Sequence, residues 1–261
     1  MLLTIDAGNS CITIGCTDDA AVVFQERIST NLKKTDLEYA VDVMNALRLH
    51  NVDAAQISGS IISCVVAPLK NVLRATVKRL FSMEPFIVSA AAQHLLSVKI
   101  DRPQELGPAM ITTAIAAVLS YGAPAIIINM GTATTISVVN EQREFIGGAI
   151  LPGMQSALDA LTGGTAQLPR ISLEQPVTVL GKNTVDSLTG GAIYGNAGMI
   201  DALITRMIQE AGFTKEPVIA ATGGPSETLI PFLKHKAVIN EDLSIKGLAA
   251  IYRAEKEGKT L

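Results

Sequence analysis

Two short segments of this chain follow one plan: Asp6-Ala7-Gly8-Asn9-Ser10, and Asn129-Met130-Gly131-Thr132-Ala133-Thr134-Thr135. Each takes an apolar run, Leu2 to Ile5 or Ala125 to Ile128, straight into a turn of glycine and hydroxyl residues. Glycine permits tight dihedrals and close approach of a second group, while exposed N–H groups and hydroxyls donate to phosphate oxygens. One such turn is a weak signal. With Ala221-Thr222-Gly223-Gly224 closing a third apolar run, the set suggests a nucleotide clasped between two similar half-sites. The candidate nucleotide contacts are Asp6, Gly8, Asn9, Ser10 and Thr13 in the first half, and Gly131, Thr132, Gly223 and Gly224 in the second. The two turns differ in charge. The first carries a carboxylate at Asp6, the second an amide at Asn129.

The segments around these turns repeat as well. Leu2 to Ile5, Cys11 to Cys16 and Ala21 to Arg27 read as three strands, the last two joined by an Asp18-Asp19 turn. Thr35 to Leu49 places Leu37, Val41, Met44 and Leu47 at helical spacing behind a Thr35-x-x-Glu38 capping box. Ser58 to Val65 reads as strand, Pro68 to Leu80 as helix, Pro85 to Val88 as strand and Pro108 to Tyr121 as an apolar helix. The unbroken run Ala125 to Ile128 predicts a strand buried on both faces. Thr135 to Val139 and Glu144 to Ile150 form the next hairpin around Asn140-Glu141. A β-β-β-α-β-α-β order followed by a second β-β-β start predicts a duplicated α/β fold, with domains at 1–118 and 119–261.

Composition excludes several classes. A chain of 261 residues with 48% hydrophobic content has ample core for one large or two small domains. Its net charge is −3, and its 21 basic residues are scattered, so a nucleic-acid partner, which needs a concentrated basic footprint, is not expected. The charge-dense stretch Arg253 to Lys259 alternates in sign and reads as a solvated helix end. Three cysteines (Cys11, Cys16, Cys64) and three histidines (His50, His94, His235) lack metal-ligand spacing. The first residues begin a strand at once and no apolar run reaches membrane-spanning length, so a soluble cytoplasmic protein without a membrane partner is expected.

The duplicated motif with its phosphate turns resembles the actin/sugar-kinase/Hsp70 superfamily of ATP-binding proteins, and within it the type III pantothenate kinase family. The residues that carry the likeness run nearly end to end. They are Asp6-x-Gly8-Asn9-Ser10, Arg27-Ile28-Ser29-Thr30 with Glu38-Tyr39, Pro103-x-Glu105-Leu106-Gly107 and Gly131-Thr132-Ala133-Thr134-Thr135. Gly147-Gly148-x-Ile150-x-Pro152-Gly153, Thr165-Ala166-x-Leu168-Pro169, Gly181-Lys182-Asn183-Thr184, Tyr194-Gly195 and Ala221-Thr222-Gly223-Gly224 follow in the family's order. The resemblance implies duplicated ribonuclease-H-like (actin-like ATPase) domains with mixed sheets. It also implies ATP and Mg²⁺ as cofactors, with Asp6 holding the metal indirectly, and pantothenate as substrate.

The likeness fails where that chemistry is done. Relatives read Gly-Ala-Asp-Arg; this chain reads Gly107-Pro108-Ala109-Met110, with the spacing from Gly107 to Asn129 unchanged. In relatives the Asp is the proposed base for the pantothenate hydroxyl and the Arg binds the substrate carboxylate. Ala109 and Met110 do neither, so no catalytic residue is assigned. Ile100, Gly107, Met110 and Thr184 stand at the resemblance's substrate-binding positions. Ile100-Asp101-Arg102-Pro103 replaces the usual Tyr-x-Asn-Pro. A monovalent cation (K⁺ or NH₄⁺) next to Asn129 is expected to be held more weakly than by a carboxylate.

Several residues keep two readings. Thr184 is either a helix N-cap or a substrate contact, and Asn129 either a cation ligand or a partner for turn backbone. Glu105 is a poor stand-in base, Asp101 and Arg102 read as an exposed loop pair, Lys182 as surface, and Cys11 as a small buried residue. For the whole protein two classes stand. One is an impaired or substrate-shifted pantothenate kinase of coenzyme A biosynthesis. The other is a non-catalytic pseudokinase, a regulatory or heterodimer partner of an active paralogue. A homodimer or heterodimer is expected, and the Gly190 to Met207 stripe (Ile193, Ala197, Ile200, Ile204) either offers a surface for it or packs within its own domain.

Overall fold

A computed structural model describes residues 1–19, 21–88, 95–173 and 178–257. It falls into two compact units, Met1–Leu119 with Asp242–Leu261, and Ser120–Glu241.

The first unit opens with β1 (Leu2–Ala7), β2 (Cys11–Asp18) and β3 (Ala21–Ser29), then α1 (Asp36–Leu49), β4 (Gly59–Cys64), α2 (Ala67–Phe81) and β5 (Phe86–Ile87). A short β6 (Ser97–Val98) and α3 (Pro108–Tyr121) complete this stretch. The five-stranded sheet has the order β3-β2-β1-β4-β5. β1 to β3 pair antiparallel, whereas β4 runs parallel to β1 and β5 parallel to β4. The second unit holds β7 (Ala125–Met130), β8 (Ala133–Val139), β9 (Glu144–Pro152), α4 (Met154–Gly163), α5 (Thr184–Ala211), β10 (Val218–Thr222), α6 (Ser226–Leu229) and β11 (Val238–Ile239). Its strands lie in the order β9-β8-β7-β10-β11, the same winding as in the first unit.

The duplication extends to register. Asp6 sits opposite Thr13 on one side and Ser63 on the other; Asn129 sits opposite Thr135 and Thr222. Each second strand carries an irregularity before its end, at Cys16/Thr17 and at Val138/Val139. Ala125 to Ile128 is buried throughout, as a central strand covered on both faces must be.

Three details depart from the sequence reading. The capping box at Thr35 and Glu38 forms, but α1 buries Tyr39, Ala40, Val43, Ala46 and Leu47, while Leu37 and Val41 are exposed. Two apolar stripes overlap on this helix, and the Tyr39 hydroxyl, bonded to both backbone groups of Asn31, belongs to the inward one. The last helix, α7 (Leu243–Glu257), groups with the first unit and not with the 119–261 stretch in which it lies. It buries Leu243, Ile245, Leu248 and Ile251 over β1 and β4, and Gly15 and Gly59 make room for Ile245 and Tyr252. The third concerns α5. Ile193, Ala197, Ile200 and Ile204 are buried in the second unit's own core with Ile126, Ile128 and Ile136. That stripe faces its own sheet and offers no assembly surface.

Candidate functional site

The first turn is shaped by backbone bonds. Gly8 N–H donates to the Cys11 carbonyl at 2.9 Å, closing a tight reversal between β1 and β2. Thr30, just past β3, donates its hydroxyl to Gly8 O at 2.7 Å and its N–H to Ser10 O at 2.9 Å. Asn9, Ser10 and Cys11 are exposed at the tip. Cys11 is therefore not the small buried residue its apolar neighbours suggest; the reversal turns it outward before β2 enters the core.

Asp6 stands behind this turn, at the end of β1. Burial pushes its carboxyl above the ordinary carboxylate range, and the Ser63 and Ser244 hydroxyls hold it back. No cationic side chain enters that balance. A charge so placed calls for a positive partner, and a hydrated Mg²⁺ joined to phosphates fits, because Mg²⁺ keeps most of its waters and takes one or two carboxylates. No group of three or more His, Cys, Asp or Glu among the described residues forms a closed metal cage. Thr13, opposite Asp6 on β2, is half-buried.

The second turn is tighter. Gly131 N–H donates to Ala133 O at 3.0 Å, and Gly131, Thr132 and Ala133 are exposed. The end of β9 closes on it from behind: Gly153 N–H donates to Thr132 O at 3.0 Å, and Ser156 Oγ donates to the same oxygen at 2.9 Å. A Cβ on Gly153 would lie 2.1 Å from Gly131 O, so only glycine allows this approach. Asn129 is half-buried in the position equivalent to Asp6. Beside it β10 ends at Gly223, where φ is +100° and a Cβ would lie 2.0 Å from Met130 O. Gly223 O accepts from the Ser226 N–H and hydroxyl, which starts α6. Gly224 is exposed. Gly131, Thr132 and Gly223 thus meet at one corner of the second unit.

The substrate positions of the resemblance are poor in chemistry. Gly107, Pro108, Ala109 and Met110 are half-buried at the start of α3, where the Ala109 carbonyl accepts from the Thr113 hydroxyl at 2.9 Å. Ile100 is half-buried. Just before α3, Arg102 and Glu105 form an exposed ion pair at 3.0 Å, and Asp101 is exposed. Thr184 is exposed and is not the helix cap: Asn183 caps α5, its side-chain oxygen accepting from Asp186 N–H at 2.9 Å. Lys182 is exposed, as the sequence suggests.

Sequence reasoning overlooked Thr30, Ser63, Ser244, Gly153 and Ser156. Ser63 was within reach of it, since strand parity places it on the same sheet face as Asp6. Thr30 and Gly153 lie in segments with a family likeness but no signal of their own. Ser244 arrives on the C-terminal helix, which no local pattern ties to β1.

Comparison with known proteins matches a family model described as type III pantothenate kinase to residues 2–206. The type III pantothenate kinase of Halalkalibacterium halodurans is 36% identical over 97% of this chain and 99% of its own length. That of Roseiflexus sp. is 38% identical over 98% of this chain and 100% of its own. Among solved structures, component A of the (R)-2-hydroxyglutaryl-CoA dehydratase of Acidaminococcus fermentans superposes with a TM-score of 0.58 at 12% identity, covering 99% of both chains. The activator of the 2-hydroxyisocaproyl-CoA dehydratase from Clostridium difficile, with bound ADPNP, gives 0.53 at 8% identity, covering 100% of this chain and 98% of its own. At such identities these likenesses speak for the fold alone.

Proposed function

The chain belongs to the type III pantothenate kinase family, and we propose that it binds ATP with Mg²⁺ but phosphorylates pantothenate weakly or not at all. One observation carries this reading. Ala109 and Met110 occupy the start of α3 with no group able to take a proton or pair with a carboxylate, and the nearby Arg102 and Glu105 are exposed and paired with each other.

Nucleotide binding is supported by what persists. Asn9, Ser10 and Thr13 in the first unit, and Gly131, Thr132, Gly223 and Gly224 in the second, keep the glycine, hydroxyl and amide residue types that phosphate or nucleoside contacts need, and Asn9, Ser10, Gly131, Thr132 and Gly224 are exposed. Asp6 would hold Mg²⁺ through its water shell, the Ser63 and Ser244 hydroxyls favouring its charged form. When bound, the metal neutralises charge on the phosphates. The Asn129 amide lacks the charge for a firm K⁺ or NH₄⁺ site, and we assign such an ion no step.

Phosphoryl transfer is mostly positioning and electrostatics, so loss of the base alone leaves a slow kinase. A base contributes about 10²–10⁴-fold. Loss of the carboxylate ligand as well removes a charge-assisted bond that positions the substrate hydroxyl, and the two losses compound. Ile100, Gly107 and Met110 then supply no group to pair with a substrate carboxylate, and a related small hydroxy acid is the alternative substrate. The test is a coupled ATP-consumption assay with pantothenate and small hydroxy acids, run beside nucleotide calorimetry. Firm ATP–Mg²⁺ binding with little pantothenate-dependent turnover is the expected result; turnover at roughly 1–100 s⁻¹, the usual kinase range, overturns the reading.

The same loss favours a second reading, a non-catalytic subunit pairing with an active paralogue. We propose a homodimer, or a heterodimer where such a paralogue exists. With the α5 stripe consumed by the core, family resemblance is its support. Light scattering at micromolar concentration decides it, a monomer counting against assembly.

A further inference from the structure

We propose that Thr30 is a positioning residue, one that sets the peptide planes of the first turn so that the Asn9 and Cys11 N–H groups are presented to an anion. This rests on reading the turn as the phosphate site of a nucleotide. The carbonyls of Gly8 and Ser10 both point at Thr30, one held by its hydroxyl at 2.7 Å and the other by its N–H at 2.9 Å. In a planar trans peptide, C=O and N–H point in opposite directions. Holding those two carbonyls therefore turns the N–H groups of the next residues, Asn9 and Cys11, away from Thr30. The Asn9 N–H has no hydrogen-bond partner among the described residues, and both residues are exposed.

The clamp is itself anchored. Asn31, the next residue, is gripped by Tyr39, whose hydroxyl accepts from Asn31 N–H at 3.0 Å and donates to Asn31 O at 2.8 Å. Tyr39 is fully buried on α1, behind the Thr35–Glu38 capping box. The turn is thus tied through two residues to the hydrophobic core of its unit. Donors fixed in advance do not have to be ordered when the anion arrives, which is how preorganisation improves binding. The N–H bond continues the β2–β3 pairing by one residue, and the hydroxyl bond to Gly8 O is the contact that needs threonine or serine here.

Thr30→Val keeps the shape and removes the hydroxyl donor. Titration calorimetry with ATP–Mg²⁺ and with adenosine separates the roles. ATP–Mg²⁺ affinity is expected to fall roughly 10-fold while adenosine affinity is unchanged. Thr30→Ser, which keeps the donor, is expected to bind both ligands like the wild type. Equal loss for ATP and adenosine, or none for ATP, overturns the inference. If Thr30→Val does not fold, Tyr39→Phe carries the test, with a smaller loss confined to ATP; unchanged ATP affinity in that variant also overturns it. A wild type that binds adenosine but gains nothing from the phosphates refutes the phosphate-site reading itself, and the inference with it.

Discussion

Replacing Gly223 with alanine tests the second unit's corner. Gly223 has φ of +100°, and an added Cβ would stand 2.0 Å from Met130 O, 2.7 Å from its carbonyl carbon and 3.0 Å from its nitrogen. These are backbone atoms of β7, one residue before Gly131, so no side-chain rotation relieves the contact. The dihedral costs an L-residue roughly 1–2 kcal/mol. Overpacking against a fixed wall adds about 1–3 kcal/mol. Together they give about 2–5 kcal/mol, a fall of roughly 4–20 °C in Tm for a protein of this size. The relief open to the variant is to push Met130 outward or unwind the Gly223 turn, and either moves Gly131 and Thr132. ATP affinity is therefore expected to fall alongside stability. Calorimetric melting and ATP titration read both quantities on one sample. Gly191→Ala, on α5 where an added Cβ meets nothing within 4 Å, is the control and should be neutral or stabilising by about 0.5–1 kcal/mol. A Gly223→Ala protein that melts and binds ATP like the wild type would show that the close approach of β10 to β7 does not shape the turn.

Asp6→Asn should weaken ATP–Mg²⁺ more than metal-free ATP, and calorimetry with and without Mg²⁺ distinguishes them. The same variant should be more stable without ligand at neutral pH. Burial raises the folded-state pKa of Asp6, so the folded form binds its proton more tightly than the unfolded chain does, and stability is lost as pH rises from the unfolded value of 3.8 through the folded one. The gain should therefore vanish in melts carried out below that window; an Asp6→Asn protein that is less stable at every pH contradicts it. Ala109→Asp with Met110→Arg should create pantothenate-dependent ATP turnover, with Ala109→Asp alone doing less, because a base works only on a positioned hydroxyl. Pro108 at the first helical position and Ile100 should hold the rescue below full activity, and a double variant no faster than the wild type would place the defect elsewhere.

The sequence by itself determined the duplication. Strand after strand ends in glycine and hydroxyl residues, and period-2 and period-3.6 patterns follow from backbone geometry that each segment carries locally. Asp6, Asn129 and the turns beside them were legible for that reason, as was the capping box at Thr35, and that Ala109 and Met110 carry no ionisable group was plain from residue type alone. Tertiary structure decided which of two apolar stripes on α1 turns inward, because both have helical spacing and only docking, with Tyr39 reaching Asn31, separates them. It spent the α5 stripe on the unit's own sheet, since an apolar face looks the same in sequence whether it meets a core or a partner. It also returned α7 to the first unit, which sets Ser244 against Asp6 across more than two hundred residues of chain. Contacts of that kind leave no local periodicity. They arise where buried surface is largest, and that is a property of the packed molecule.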